Sequence, residues 1–152
     1  MSIRALKDIT RGLVVAGLLV GCDSPVEPVT HAAGVVIVDA SGNEAARFIF
    51  DEGSPVISGG LEVGVQETVT YRIRGLDEDG AVFSLDEEGY SISNPVVVIA
   101  LRADIAVDGI DGLVLEGREA GETTIRFFLN HGDHAEFEAR DIPLQVVGPD
   151  PT

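Results

Sequence analysis

The chain has 152 residues, with 10 Lys plus Arg against 26 Asp plus Glu and a formal net charge of −16. This balance excludes nucleic acid as a partner and repels anionic lipid head groups, because binding to either rests on Lys and Arg neutralising phosphates. The sequence has a single cysteine, so no disulfide forms within the chain and packing alone must hold its fold.

Arg4, Lys7 and Arg11 precede the apolar run Gly12 to Cys22, GLVVAGLLVGC. A basic start, a short apolar stretch and a closing small residue are the layout of a secretory signal. The run covers about half of the ~20 apolar residues that a membrane-crossing helix needs. Its end, Leu19-Val20-Gly21-Cys22, resembles the lipobox of bacterial lipoproteins. That resemblance implies a diacylglycerol on the Cys22 thiol, cleavage just before Cys22, and acylation of the new amino terminus by a chain such as palmitate. A cysteine committed to lipid leaves no cysteine for catalysis. The implied plan is a signal peptide over 1–21, the lipidated cysteine and a tether over 22–31, one folded domain over 32–148 and a tail over 149–152. Setting aside Arg4, Lys7, Arg11 and Asp8 leaves seven cations, all arginine, against 25 acids. Such a surface is well hydrated and soluble.

Asp23 to Thr30, DSPVEPVT, has two prolines and no periodicity, and reads as an extended tether. The remainder reads as strands. Gly34 to Asp39 and Arg47 to Phe50 flank the turn cluster Ser41-Gly42-Asn43 and predict a hairpin. Pro55 and Gly59-Gly60 predict a break. From Glu67 to Arg74, Val69, Tyr71 and Ile73 alternate with Thr68, Thr70, Arg72 and Arg74, the period of a half-buried strand. Asp77-Glu78-Asp79-Gly80 predicts a turn, and Ala81 to Leu85 and Tyr90 to Ile92 predict further strands. Val96 to Leu101, VVVIAL, is apolar throughout and predicts a strand covered on both faces, with Val98 central to the core. Asp108 to Gly112 turns the chain again. Leu113 to Glu116, Thr123 to Leu129 and Phe137 to Val147 complete the set, the last crossed by Pro143, which favours an edge or a bulge. No helical period follows residue 22, and turns recur every 8 to 12 residues, so the expected fold is all-β, an antiparallel sandwich.

Leu61-Glu62-Val63-Gly64, Thr68 to Ile73, Asp79-Gly80, Ser93-Asn94-Pro95 with Val96-Val97-Val98, Gly117, and Ala120-Gly121-Glu122-Thr123-Thr124-Ile125 follow one another as in bacterial immunoglobulin-like domains of group 2. The chain resembles that family over about residues 57 to 129. It departs from the pattern in lacking the tryptophan often found before the serine-asparagine-proline stretch and in carrying an extra hairpin at residues 34 to 50. The resemblance implies an immunoglobulin-like sandwich that acts as a structural or adhesive module and not as an enzyme.

The nucleophile elbow, the P-loop and the zinc helix H-E-x-x-H are all missing from the sequence. A carboxylate pair could serve a hydrolase, but 25 acids define no particular pair. Asp77 to Gly80 opens like a calcium loop, yet Ala81 stands where a third ligand belongs, so a plain turn is expected. Three histidines exist, and two flank one turn signal, Asn130-His131-Gly132-Asp133-His134. The ends of a β-turn come within about 7 Å, close enough for two imidazoles to share zinc or copper. His131, His134 and Asp133, with His31 or Glu136, are the candidate ligands, against the plainer expectation of a solvated hairpin tip with no cofactor. The reading is therefore a non-enzymatic, lipid-anchored binding or structural module on the exported side of a bacterial envelope membrane. Its partners are the membrane through the anchor and an envelope protein or polysaccharide. The alternatives are a metal-binding lipoprotein and a carboxylate-based hydrolase.

Overall fold

A computed structural model describes residues 31–51 and 53–149; the signal segment, Cys22, the tether before His31 and the tail beyond Pro149 lie outside the described residues. Eleven strands follow in order: β1 (Gly34–Val38), β2 (Glu44–Asp51), β3 (Ser54–Gly59), β4 (Leu61–Gly64), β5 (Thr68–Leu76), β6 (Val82–Phe83), β7 (Tyr90–Val97), β8 (Ala103–Asp108), β9 (Gly112–Gly117), β10 (Gly121–His131) and β11 (His134–Val147). Among the described residues there is no helix.

The hairpin β1–β2 forms because Asp39 organises its own turn. Its Oδ1 accepts the N–H groups of Ser41 and Asn43, its Oδ2 accepts the Asn43 amide, and Gly42 supplies a φ of 84°. Asp77 does the same before β6, its Oδ1 accepting the N–H groups of Asp79 and Ala81, so this acidic stretch is a turn.

One sheet runs β3-β2-β1-β5-β9-β8 with β6 beside β5, and the other runs β4-β11-β10-β7. Every pairing between strands is antiparallel except that of β4 with β11. The trio β5-β9-β8 stands where strands B, E and D stand in an immunoglobulin domain, and β7-β10-β11 stand for C, F and G. The hairpin β1–β2 and β3 extend the first sheet outward from β5. Between the sheets lies one apolar core, with Val35, Phe48, Ile73, Leu113 and Leu115 from the first facing Ile92, Ile125, Phe127, Leu129 and Leu144 from the second. Each such side chain contributes about 1.5–3 kcal/mol relative to exposure. The fold is an antiparallel, immunoglobulin-like β-sandwich.

The structure corrects the expectation for Val96 to Leu101. Val97 alone of the four bulky residues Val96 to Ile99 is buried, while Val98 is 57% exposed and Leu101 76% exposed. The reason is position: β7 is the edge of its sheet and ends at Val97, and alternation sends Val96 and Val98 to the outer face, which no further layer covers. Pro143 stands one residue before the pairing of β11 with β4 begins at Leu144, just after a bulge that holds Asp141 at a φ of 59°.

Candidate functional site at the hairpin end

The turn between β10 and β11 is a two-residue hairpin in which His131 pairs with His134 and Gly132 takes a φ of 62°. Glycine at the first central position is what a tight, primed turn requires. Two residues further on, the register slips: Leu129 pairs with Phe137 and Asn130 with Ala135, so Glu136 is the extra residue of a bulge. A bulge re-aims side chains. Here Phe137 enters the core while the Glu136 carboxylate reaches the end of the sandwich.

Four groups meet there. Glu136 Oε1 accepts a hydrogen bond from His31 Nδ1 at 2.9 Å, and its Oε2 accepts one from the Tyr90 hydroxyl at 3.0 Å. His131 Nδ1 stands 3.7 Å from the same Oε2. The Tyr90 oxygen accepts the N–H of Ala32 at 3.2 Å. The Tyr90 ring stacks on the His131 ring at 4.7 Å and lies 5.6 Å from Phe83. Burial raises the Tyr90 pKa and the Glu136 carboxylate raises it further, to about 12, so the phenol stays protonated and acts as a donor. Burial by itself would raise Glu136, but the hydrogen bonds from His31 and Tyr90 outweigh it and hold the carboxyl below its ordinary range. Both oxygens of Glu136 are thereby engaged. The arrangement fastens the chain where it enters the sandwich.

The structure brings His31 and His131 to one carboxylate, as the sequence allowed, but does not gather the candidate ligands His131, His134, Asp133 and His31 around one point. The rings of His131 and His134 are 6.3 Å apart at their centroids and inclined at 61°. His134 Nδ1 lies 3.5 Å from Asp133 at the exposed tip, whereas His131 is held against Tyr90. Among the described residues no group of three His, Cys, Asp or Glu side chains is placed to hold a metal ion. Tyr90 is the member that sequence reasoning missed. Its signal was the first position of a strand, which means little until β7 is known to pair with β10 and set Tyr90 beside His131.

The class defined so far is an immunoglobulin-like sandwich with a fastened amino-terminal entrance. No family model matches the chain, and no curated protein matches it. Among solved structures it is similar to domains 4 and 5 of the S-layer protein SbsC, at 16% identity and a TM-score of 0.42, over 91% of this chain and 85% of that one. A structure of SbsC domains 1–6 aligns at 13% identity and 0.43, over 77% of this chain and 20% of that one. One of domains 4–9 aligns at 15% and 0.42, over 80% and 23%.

Proposed function

We propose that this chain is a lipid-anchored module of the bacterial cell envelope that binds or scaffolds and does not catalyse. The observation that carries the reading is the joint between tether and domain. Nine residues after Cys22, at the end of the lipobox, His31 is bonded to Glu136 and the next backbone N–H to Tyr90. A segment of that length, at about 3.1 Å per residue, has a reach of roughly 28 Å between lipid and sandwich. The joint gives it a fixed point on the domain. The immunoglobulin-like sandwich, and the sequence resemblance to group 2 domains, support a module of adhesion or structure. The absence of a nucleophile motif from the sequence supports a role without catalysis. Metabolic labelling with an alkyne fatty acid tests the anchor: the wild-type chain incorporates label and sediments with membranes, and Cys22→Ser does neither. Equal labelling of the two would overturn it.

A further inference from the structure

The outer face of the β4-β11-β10-β7 sheet carries an ordered pattern of charge. Across the strands, Glu62 pairs with Gln145 and Gln145 with Glu122, so two carboxylates flank one amide in a single row. The next row along the strands holds Pro143 paired with Thr124, with Val98 bonded to the Thr124 carbonyl at 3.0 Å. Beyond it, Arg126 and Arg140 lie at the bulge where β10 and β11 change register. The acid row and the arginine row thus stand on either side of Thr124, each about 7 Å from it at ~3.3 Å per residue.

Among the described residues these charges have no ion-pair partner. Arg47, Arg72, Arg74 and Arg118 each pair with a carboxylate, and Arg102 donates to the Glu122 backbone carbonyl. Arg126 and Arg140 make no ion pair among the described residues, and neither do Glu62 and Glu122. Asp141 sits in the same bulge as Arg140 without bridging to it. The acid row also borders a groove of about 610 Å³ whose lining includes Val98, Ile99, Pro143 and Thr124.

We infer that this face docks on a second copy of the chain, about a two-fold axis that lies across the strands at Thr124. Such an axis reverses strand direction and turns the two faces toward each other. It sets Arg126 of one copy opposite Glu122 of the other and Arg140 opposite Glu62 and Gln145, twice over. A contact of this kind is self-complementary and closed, as a two-fold interface must be. The arginine ridge of each copy enters the groove of the other, and the Val98 side chains approach each other near the axis. β4, β11, β10 and β7 hold 4, 14, 11 and 8 residues, which at ~3.3 Å per residue and ~4.8 Å per strand give a face of roughly 590 Å², so two such faces bury at most about 1,200 Å², the lower bound of a standard interface. The acidity of the rest of the chain opposes association. At physiological ionic strength, however, charges more than about 8 Å apart in solvent are largely screened, and ion pairs in contact are screened much less.

Disulfide trapping of the full chain tests the axis, because a residue on a two-fold axis meets its own copy. Thr124→Cys, oxidised with copper-phenanthroline, should give a covalent dimer on a non-reducing gel. The wild-type chain, with Cys22 only, and Ser58→Cys on the other sheet should not. A charge swap then separates docking from loss of fold or change in net charge. The Arg126→Glu, Arg140→Glu chain and the Glu62→Arg, Glu122→Arg chain, each also carrying Thr124→Cys, should both lose the dimer alone and regain it when mixed. Absence of the Thr124→Cys dimer, trapping at Ser58→Cys to the same extent, or failure of the mixture to recover would overturn the inference. Retention of a monomeric wild-type chain on a polylysine column through Glu62 and Glu122 would overturn it too, and would give the face to a basic partner of another kind. The readouts concern this face and not Cys22, so a failed anchor and a failed interface are distinguishable.

Discussion

The Tyr90 hydroxyl donates to Glu136 across 3.0 Å while its oxygen accepts the backbone N–H of Ala32. One side chain of the second sheet thus fastens the segment that leads into the first strand of the other sheet. Tyr90→Phe keeps the ring against His131 and Phe83 but removes both bonds and leaves an amide without its acceptor. The expected loss is about 1–3 kcal/mol, read from the urea midpoint, because an unsatisfied, part-buried polar group costs more than its bond gained. An unchanged midpoint would mean that water replaces the hydroxyl at no cost.

Acid should weaken the same joint. The folded pKa of Glu136 lies below its unfolded value, so the unfolded chain binds the proton more readily. The resulting stability is fully present above the ordinary carboxylate pKa, near 4.3, and is lost as pH falls through the lower folded value. Asp111 contributes in the same sense: burial would raise it, but the hydrogen bonds from Arg74 and Arg72 hold it down. Urea midpoints between pH 6 and pH 3 should therefore fall less steeply in Glu136→Gln than in the wild type, from a lower starting point. Parallel curves would remove Glu136 as a contributor.

Val98→Asp should be tolerated, in contrast to what its apolar run suggests. The side chain is 57% exposed at the outer face, so in dilute protein the cost should stay within about 1 kcal/mol. Phe127→Ala, at a side chain with no exposure, should cost about 3–5 kcal/mol. Chemical denaturation of the two variants side by side orders them. A larger loss at Val98 would place that segment inside the core.

Val98 also marks where the sequence stops being informative. Alternation predicted β5 well because Tyr71 and Ile73 face a core while Arg72 and Arg74 face solvent, and that contrast is written in residue type. An all-apolar run carries no such contrast, and whether it is central or at an edge depends on strand order, which is a matter of distant pairing. Pro55 signals a break where β3 forms, because an edge strand has no second neighbour to need its N–H. β8 carries no alternation to read, because only Ala103 of its six residues is buried. The histidine cluster was half legible. The turn that pairs His131 with His134 could be read locally. The bulge that sends Glu136 to His31 and Tyr90 could not, since it is defined by a register over two strands.

Gly117 offers a test of how the chain passes from one sheet to the other. After β4 the backbone leaves the second sheet, forms a bridge between Val65 and Gly117, and exchanges hydrogen bonds with Gly117 through Gln66 and Glu67 at 2.9 and 3.0 Å before β5 begins. A Cβ on Gly117 would lie 2.2 Å from the Gly64 carbonyl oxygen and 3.1 Å from Val146. The first contact is with backbone held by two strands, which no rotamer change can relieve. Gly117→Ala must therefore push β4 away from β9, at about 1–3 kcal/mol for overpacking. Gly109→Ala is the matched control. Its φ of 74° imposes backbone strain of about 1–2 kcal/mol, but nothing lies within 4 Å of the added carbon. The two variants should differ in kind as well as size. Gly109→Ala should lower the urea midpoint and leave amide exchange in β4 and β11 intact, whereas Gly117→Ala should speed exchange at Val65, Gln66 and Val146 by opening the seam between the sheets. If exchange there is as slow as in the wild type, the crossing tolerates a side chain and the close approach at Gly64 is not what fixes it.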